Sequence, residues 1–115
     1  MNVGALLRSA VKDIAPVHPK VYTGSADHYF VYAIEDDRGD DWGDDDPGHI
    51  HYWVRLSYYF PMGENQTPMR NRVRNLLQSA GFSFASITEL SDPDNGMDGF
   101  AWECDIVAES EESNG

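Results

Sequence analysis

Eight carboxylates crowd into residues 35–48, EDDRGDDWGDDDPG: Glu35, Asp36, Asp37, Asp40, Asp41, Asp44, Asp45 and Asp46, against the single base Arg38. So many hard oxygen ligands would suit calcium. No D-x-D-x-D-G register with a glutamate at its twelfth position can be laid over the stretch, however. Its three glycines and proline describe a flexible, self-repelling loop instead. His49 and His51 stand two apart, a spacing that can chelate a transition metal on one face of a strand. No third ligand is assignable, so the spacing predicts no metal site. The single cysteine, Cys104, alternates with Trp102 and Ile106 and reads as a small buried hydrophobe. There is no G-x-S-x-G nucleophile turn, and Gly39, Gly43 and Gly48 sit among aspartates that would repel phosphate. The expectation is a protein that is not an enzyme and takes no cofactor.

Arg70, Arg72 and Arg74 are three of only eight basic residues. They read either as a surface face that balances charge or as the basic half of a head-to-tail contact. Helical spacing aligns Arg70 with Arg74 and carries Arg72 round the cylinder. Twenty acids set the net charge at −12. That excludes the common nucleic-acid reading, which needs a Lys/Arg surface to displace counterions, and it disfavours anionic lipid. Residues 1–14 hold Arg8, Lys12 and Asp13 and lack the apolar core of a signal peptide. No stretch approaches the roughly 20 apolar residues of a membrane span. A chain of 115 residues with fourteen aromatic side chains is one modest domain, expected over 1–109, with an acidic tail at 110–115.

The elements that must position these residues follow from periodicity. Val3, Leu6, Leu7, Ala10, Val11 and Ile14 form one helical face, predicting a helix over 2–14 capped by Asn2 and stopped by Pro16. Residues 16–19, PVHP, read as an extended connector, and 28–35, HYFVYAIE, as a central strand apolar on both faces. Residues 49–60 alternate most cleanly: Ile50, Tyr52, Val54, Leu56, Tyr58 and Phe60 on one face, with Trp53 and Tyr59 on the other. A second helix is predicted over 67–80, with Thr67 as N-cap, Pro68 in the first turn and Gly81 as stop. Strands at 82–90 and 100–108 flank the turn Asp92-Pro93-Asp94-Asn95-Gly96. The sum is an α+β two-layer sandwich: a four-stranded, mainly antiparallel sheet with two helices on one face. The other face, carrying Trp53 and Tyr59, is left for a partner chain.

This order of elements resembles the tail terminator (tail completion) proteins of long-tailed bacteriophages. The resemblance rests on Val21-Tyr22, on Tyr29-Phe30-Val31-Tyr32, and on the aromatic strand from Tyr52 to Tyr59. It rests also on a helix ending Leu76-Leu77-Gln78-Ser79-Ala80-Gly81-Phe82, and it spans about residues 3–108. Relatives often carry a proline cluster before the first core strand, where Ser25-Ala26-Asp27-His28 stands here. The resemblance implies a structural protein at the head-proximal end of a virion tail, assembled in the host cytoplasm. It implies a homo-oligomer, a ring of six, that caps the tail tube, ends its polymerisation and meets the head connector. DNA would pass through the channel without specific binding, and no membrane is involved. On that expectation the acidic loop faces the channel, while Arg70, Arg72, Arg74, Trp53 and Tyr59 lie at subunit interfaces. The competing reading is an acidic DNA mimic that inhibits a nucleic-acid-binding protein. A mimic needs its carboxylates on rigid elements, whereas eight of these 20 acids share one glycine-rich stretch.

Overall fold

A computed structural model describes residues 2–22, 24–39 and 49–109. The stretch holding Asp40, Asp41, Asp44, Asp45 and Asp46, and the tail 110–115, lie outside the described residues. Two helices, α1 (Val3–Val11) and α2 (Thr67–Ser79), cover one face of a sheet. Its strands are β1 (Val17–Pro19), β2 (Tyr29–Gly39), β3 (His49–Pro61), β4 (Ser86–Asp92) and β5 (Met97–Glu109), in the order β1-β2-β3-β5-β4. The α+β class is as read from periodicity, but the sheet has five strands and is mixed.

The fifth strand is β1, three residues of the PVHP segment read above as a connector. It pairs parallel to β2 in the register Val17↔Phe30 and Pro19↔Tyr32. Prolines are tolerated there because an edge strand needs ladder bonds on one side only. The other pairs are antiparallel, with Tyr58 opposite both Phe30 and Phe100. Residues 35–39, expected in the acidic loop, continue β2 instead. A bulge falls between Ile34 and Asp36, so Asp36 lies opposite Trp53. The strand expected at 82–90 is shifted to β4, because Phe82 belongs to the end of α2. There Gly81 has φ 107, its N–H donates to the Gln78 carbonyl, and Phe82 N–H donates to Leu77. Those two bonds make a Schellman stop, which requires the positive φ that glycine supplies. The cap at the other end of α2 is Gln66 rather than Thr67, which is the first helical residue.

The core lies between the layers. Leu7 and Val11 of α1 and Val73 and Leu77 of α2 meet Phe30, Leu56, Tyr58 and Trp102 of the sheet. Trp102 is wholly buried and donates its indole N–H to the Arg70 carbonyl at 3.0 Å, tying β5 to α2.

Candidate functional site

Because side chains alternate along each strand, the face away from the helices carries a defined set. Tyr29, Val31 and Ala33 of β2 lie opposite Tyr59, Ser57 and Arg55 of β3, and Arg55 lies opposite Glu103 of β5. One end of this open face is aromatic and the other is ionic.

The aromatic end is a row of four rings. Tyr59 stacks on Tyr29 at 5.3 Å, Tyr29 meets Tyr22 at 4.5 Å, and Tyr22 stacks on His18 at 4.2 Å. Tyr22 reaches this position through a tight reversal after β1. Lys20 has φ 63, and Val21 N–H donates to the Pro19 carbonyl at 2.6 Å, closing a three-residue turn. A non-glycine residue in this conformation is strained, so the surrounding contacts must hold it. They are visible: Lys20 N–H donates to the Tyr32 carbonyl, and the Ala26 N–H donates to the Tyr22 hydroxyl oxygen at 2.8 Å. Gly24 leaves room for that hydroxyl, since a Cβ there would stand 2.1 Å from it. A shallow cleft of about 510 Å³ opens beside the row, walled by Tyr22, Tyr29, Tyr59, Leu90 and Asp92. Burial first, and then Tyr59, Asp92 and Tyr22, push the Tyr29 phenol above its ordinary value of 10.0.

At the ionic end, Asp105 accepts from the Ser83 hydroxyl through Oδ1 and pairs with His51 Nε2 through Oδ2. Its own N–H donates to Ser83 Oγ at 3.0 Å. The Ser83 bond, and next the His51 bond, hold the Asp105 carboxyl below its ordinary value of 3.8. His51 stacks on Trp53 at 3.9 Å, and the Arg38 guanidinium lies 5.4 Å from the Trp53 ring while pairing with Asp36 at 2.9 Å. Glu35, at the bulge, is raised above 4.5 by burial first, then by a hydrogen bond to Glu103 and the charge of Glu103, against the pull of Arg55.

Serine, aspartate and histidine meet here, but not in the order of a Ser-His-Asp triad. The carboxylate stands between Ser83 and His51, so the imidazole is not placed to take the serine proton. Among the described residues no three His, Cys, Asp or Glu side chains gather as metal ligands. His49 is exposed, and His51 is committed to Asp105. Cys104 is buried, and its thiol is pushed up to about 12 by that burial and then by Asp105. The arrangement positions groups and presents a surface.

Trp53 and Tyr59 both sit on the open face, each partly covered by its stacking partner. The three arginines of α2 separate. Arg70 pairs with Glu89 at 3.3 Å and lies 5.6 Å from the Phe100 ring. Arg74 donates to the Ala85 carbonyl at 3.0 Å and lies 4.3 Å from the Phe84 ring. Arg72 is exposed and has no partner among the described residues. Sequence reasoning missed Tyr22, Tyr29 and His18, and the Ser83–Asp105–His51 chain. Both depend on strand register, and the only local signal was the aromatic density of β2 and β3.

Fold and site together define a two-layer α+β domain with one covered and one open sheet face. No family model matches the sequence, and no curated protein matches it. Among solved structures it is similar to the sheath/tube terminator, in the extended state, of an extracellular contractile injection system, PVC, determined by cryo-EM. That chain is 10% identical at a TM-score of 0.39, with 95% of this chain covered and 56% of that one. The protein thus spans little more than half the length of that neighbour.

Proposed function

We propose that this chain is a non-catalytic structural subunit of a phage-type tail. Copies of it form a closed ring, six in number, that caps the tail tube, ends its growth and meets the head connector, with the virion tail as its destination. The observation that carries the reading is the open sheet face, where a row of aromatic rings is assembled by the strand register and the turn at Lys20. Preorganised aromatic surface of this kind suits docking against protein. The order of elements that resembles tail terminators supplies the role. Sedimentation and negative-stain imaging at high concentration, and with purified tail tubes, test it: rings or tube-bound caps are expected. A strict monomer that ignores tubes overturns the proposal.

Within that ring, the acidic stretch is assigned to the channel. Eight acids and Arg38 leave seven negative charges per chain, or 42 in a ring of six. The five acids that follow β2 in sequence, Asp40, Asp41, Asp44, Asp45 and Asp46, or 30 charges in the ring, are the ones given to the lining. Such a lining repels phosphate and lets DNA slide without sticking, over a reach of about 8–10 Å at physiological salt. Glu35, Asp36 and Asp37 stand on β2 at the root of the stretch. Replacing Asp40, Asp41, Asp44, Asp45 and Asp46 with Asn should leave assembly intact and change DNA retention or delivery. Normal infectivity of that variant refutes the channel assignment.

A further inference from the structure

The two layers differ in length and in charge. Strands β3 and β5 have 13 residues each, about 43 Å at 3.3 Å per residue. Helix α2 also has 13 residues but spans only about 20 Å, and α1 with nine is shorter still. The helices therefore cannot cover the sheet from end to end. At the end away from β1, strand β2 runs on past Tyr32 with no neighbour on its outer edge among the described residues. Ile34 is 42% exposed there and Val107 46%, on opposite faces. Glu35, Asp36 and Asp37 follow Ile34 directly. Asp36 is held within the subunit by an exposed pair with Arg38, a kind of pair that contributes little and is open to exchange for a contact with another copy. An uncovered, acidic, part-apolar edge is a surface left unfinished by its own chain.

The helices have the opposite character. Together α1 and α2 hold Arg8, Arg70, Arg72 and Arg74 and not one of the 20 acids. Lys12 adds a cation at the C-cap of α1. Arg70 and Arg74 are used within the subunit, whereas Arg8, Lys12 and Arg72 are exposed without partners among the described residues.

Resting on the ring reading above, we infer that the overhanging end of β2 in one copy docks on the helix layer of a second copy, with Asp36 and Asp37 facing Arg8 and Arg72. The occupant is identified by charge. The two helices hold four of the eight basic residues and no acid within their bounds, with Asp13 beside Lys12 and Glu89 on Arg70 at their margin. Overhang against sheet is therefore repelled and overhang against helices is attracted. Such a contact joins two different surfaces, the heterologous geometry that closes into rings.

A charge exchange tests the contact. Arg8→Glu with Arg72→Glu, and separately Asp36→Lys with Asp37→Lys, should each raise the concentration for half-assembly about tenfold, read by sedimentation. All four substitutions in one chain should bring it back toward the wild-type value. Arg8→Gln with Arg72→Gln serves if circular dichroism shows a reversal variant misfolded, with a smaller rise expected. Variants that assemble as wild type does, or a four-fold variant that does not recover, overturn the contact while rings of the wild-type protein leave the ring reading standing. A wild-type protein that stays monomeric even with tail tubes removes both.

Discussion

Trp102 locks the layers by two means, burial of its ring and the hydrogen bond it gives to the Arg70 carbonyl. Trp102→Phe keeps most of the apolar contact but leaves a gap and removes the donor. A loss of about 2 kcal/mol is expected, combining a lost hydrogen bond with a small cavity. It would be read as a lower urea midpoint at unchanged slope; an unchanged midpoint would mean the indole bond contributes nothing. Asp105 works by charge instead. Its folded pKa lies below the ordinary 3.8, so its contribution to stability is present above that value. The contribution is lost as pH falls through the lowered value. Removing the leading cause, with Ser83→Ala, should move the Asp105 titration up toward 3.8 and flatten the acid limb of unfolding in that window. Carboxyl NMR of the two proteins decides this, and coincident Asp105 curves would refute it. Glu35 has the opposite sign: its raised pKa opposes folding above 4.5, so protonation there favours the native state.

At the scale of elements, the seam between β3 and β5 runs through Gly99. A Cβ at that position would stand 2.5 Å from the Tyr58 carbonyl oxygen and 3.2 Å from the Tyr59 ring. Backbone cannot yield as a side-chain tip can, so Gly99→Ala should destabilise by about 1–3 kcal/mol despite the better strand propensity of alanine. A melting temperature equal to wild type would show that the seam relaxes freely. Most elements were legible because their periodicity is strong: β3 alternates without interruption, and α2 carries Pro68 in its first turn and stops at Gly81. What was not legible has physical causes. Strand β1 is too short for a pattern and contains a proline, and only its pairing with Phe30–Tyr32 reveals it. Charged residues 35–38 look like loop, yet an edge strand solvated on its outer side accepts them. Phe84, inside the strand expected at 82–90, precedes β4 and is 64% exposed, its ring faced by Arg74. The open face was expected from Trp53 and Tyr59. The aromatic row on it was not, because Tyr22 joins only through the reversal at Lys20.

The whole molecule is shaped by its charge. A net of −12 on a body 52 × 26 × 23 Å in extent repels itself, and the range of that repulsion depends on salt. At 0.01 M salt the screening length is about 30 Å, comparable to the molecule, so carboxylates at both ends act on one another. At 0.15 M it is about 8 Å, and only neighbours remain coupled. Folding brings the 20 acids closer than the unfolded chain does, so added salt should stabilise the fold over this range. Association through the acid-free helices has the opposite sign, because there screening weakens attraction between unlike surfaces. The expected result is a pair of opposed trends in one protein. The melting temperature of the dilute monomer rises by a few degrees, where about 1 kcal/mol corresponds to roughly 4–8 °C in a domain near this size. Over the same salt series the concentration for half-assembly rises too, so stability improves as assembly worsens. Differential scanning calorimetry at low concentration and sedimentation at high concentration measure the two separately. If salt strengthens both, self-repulsion dominates assembly as well as folding, and the helix layer does not act as a distinct basic surface.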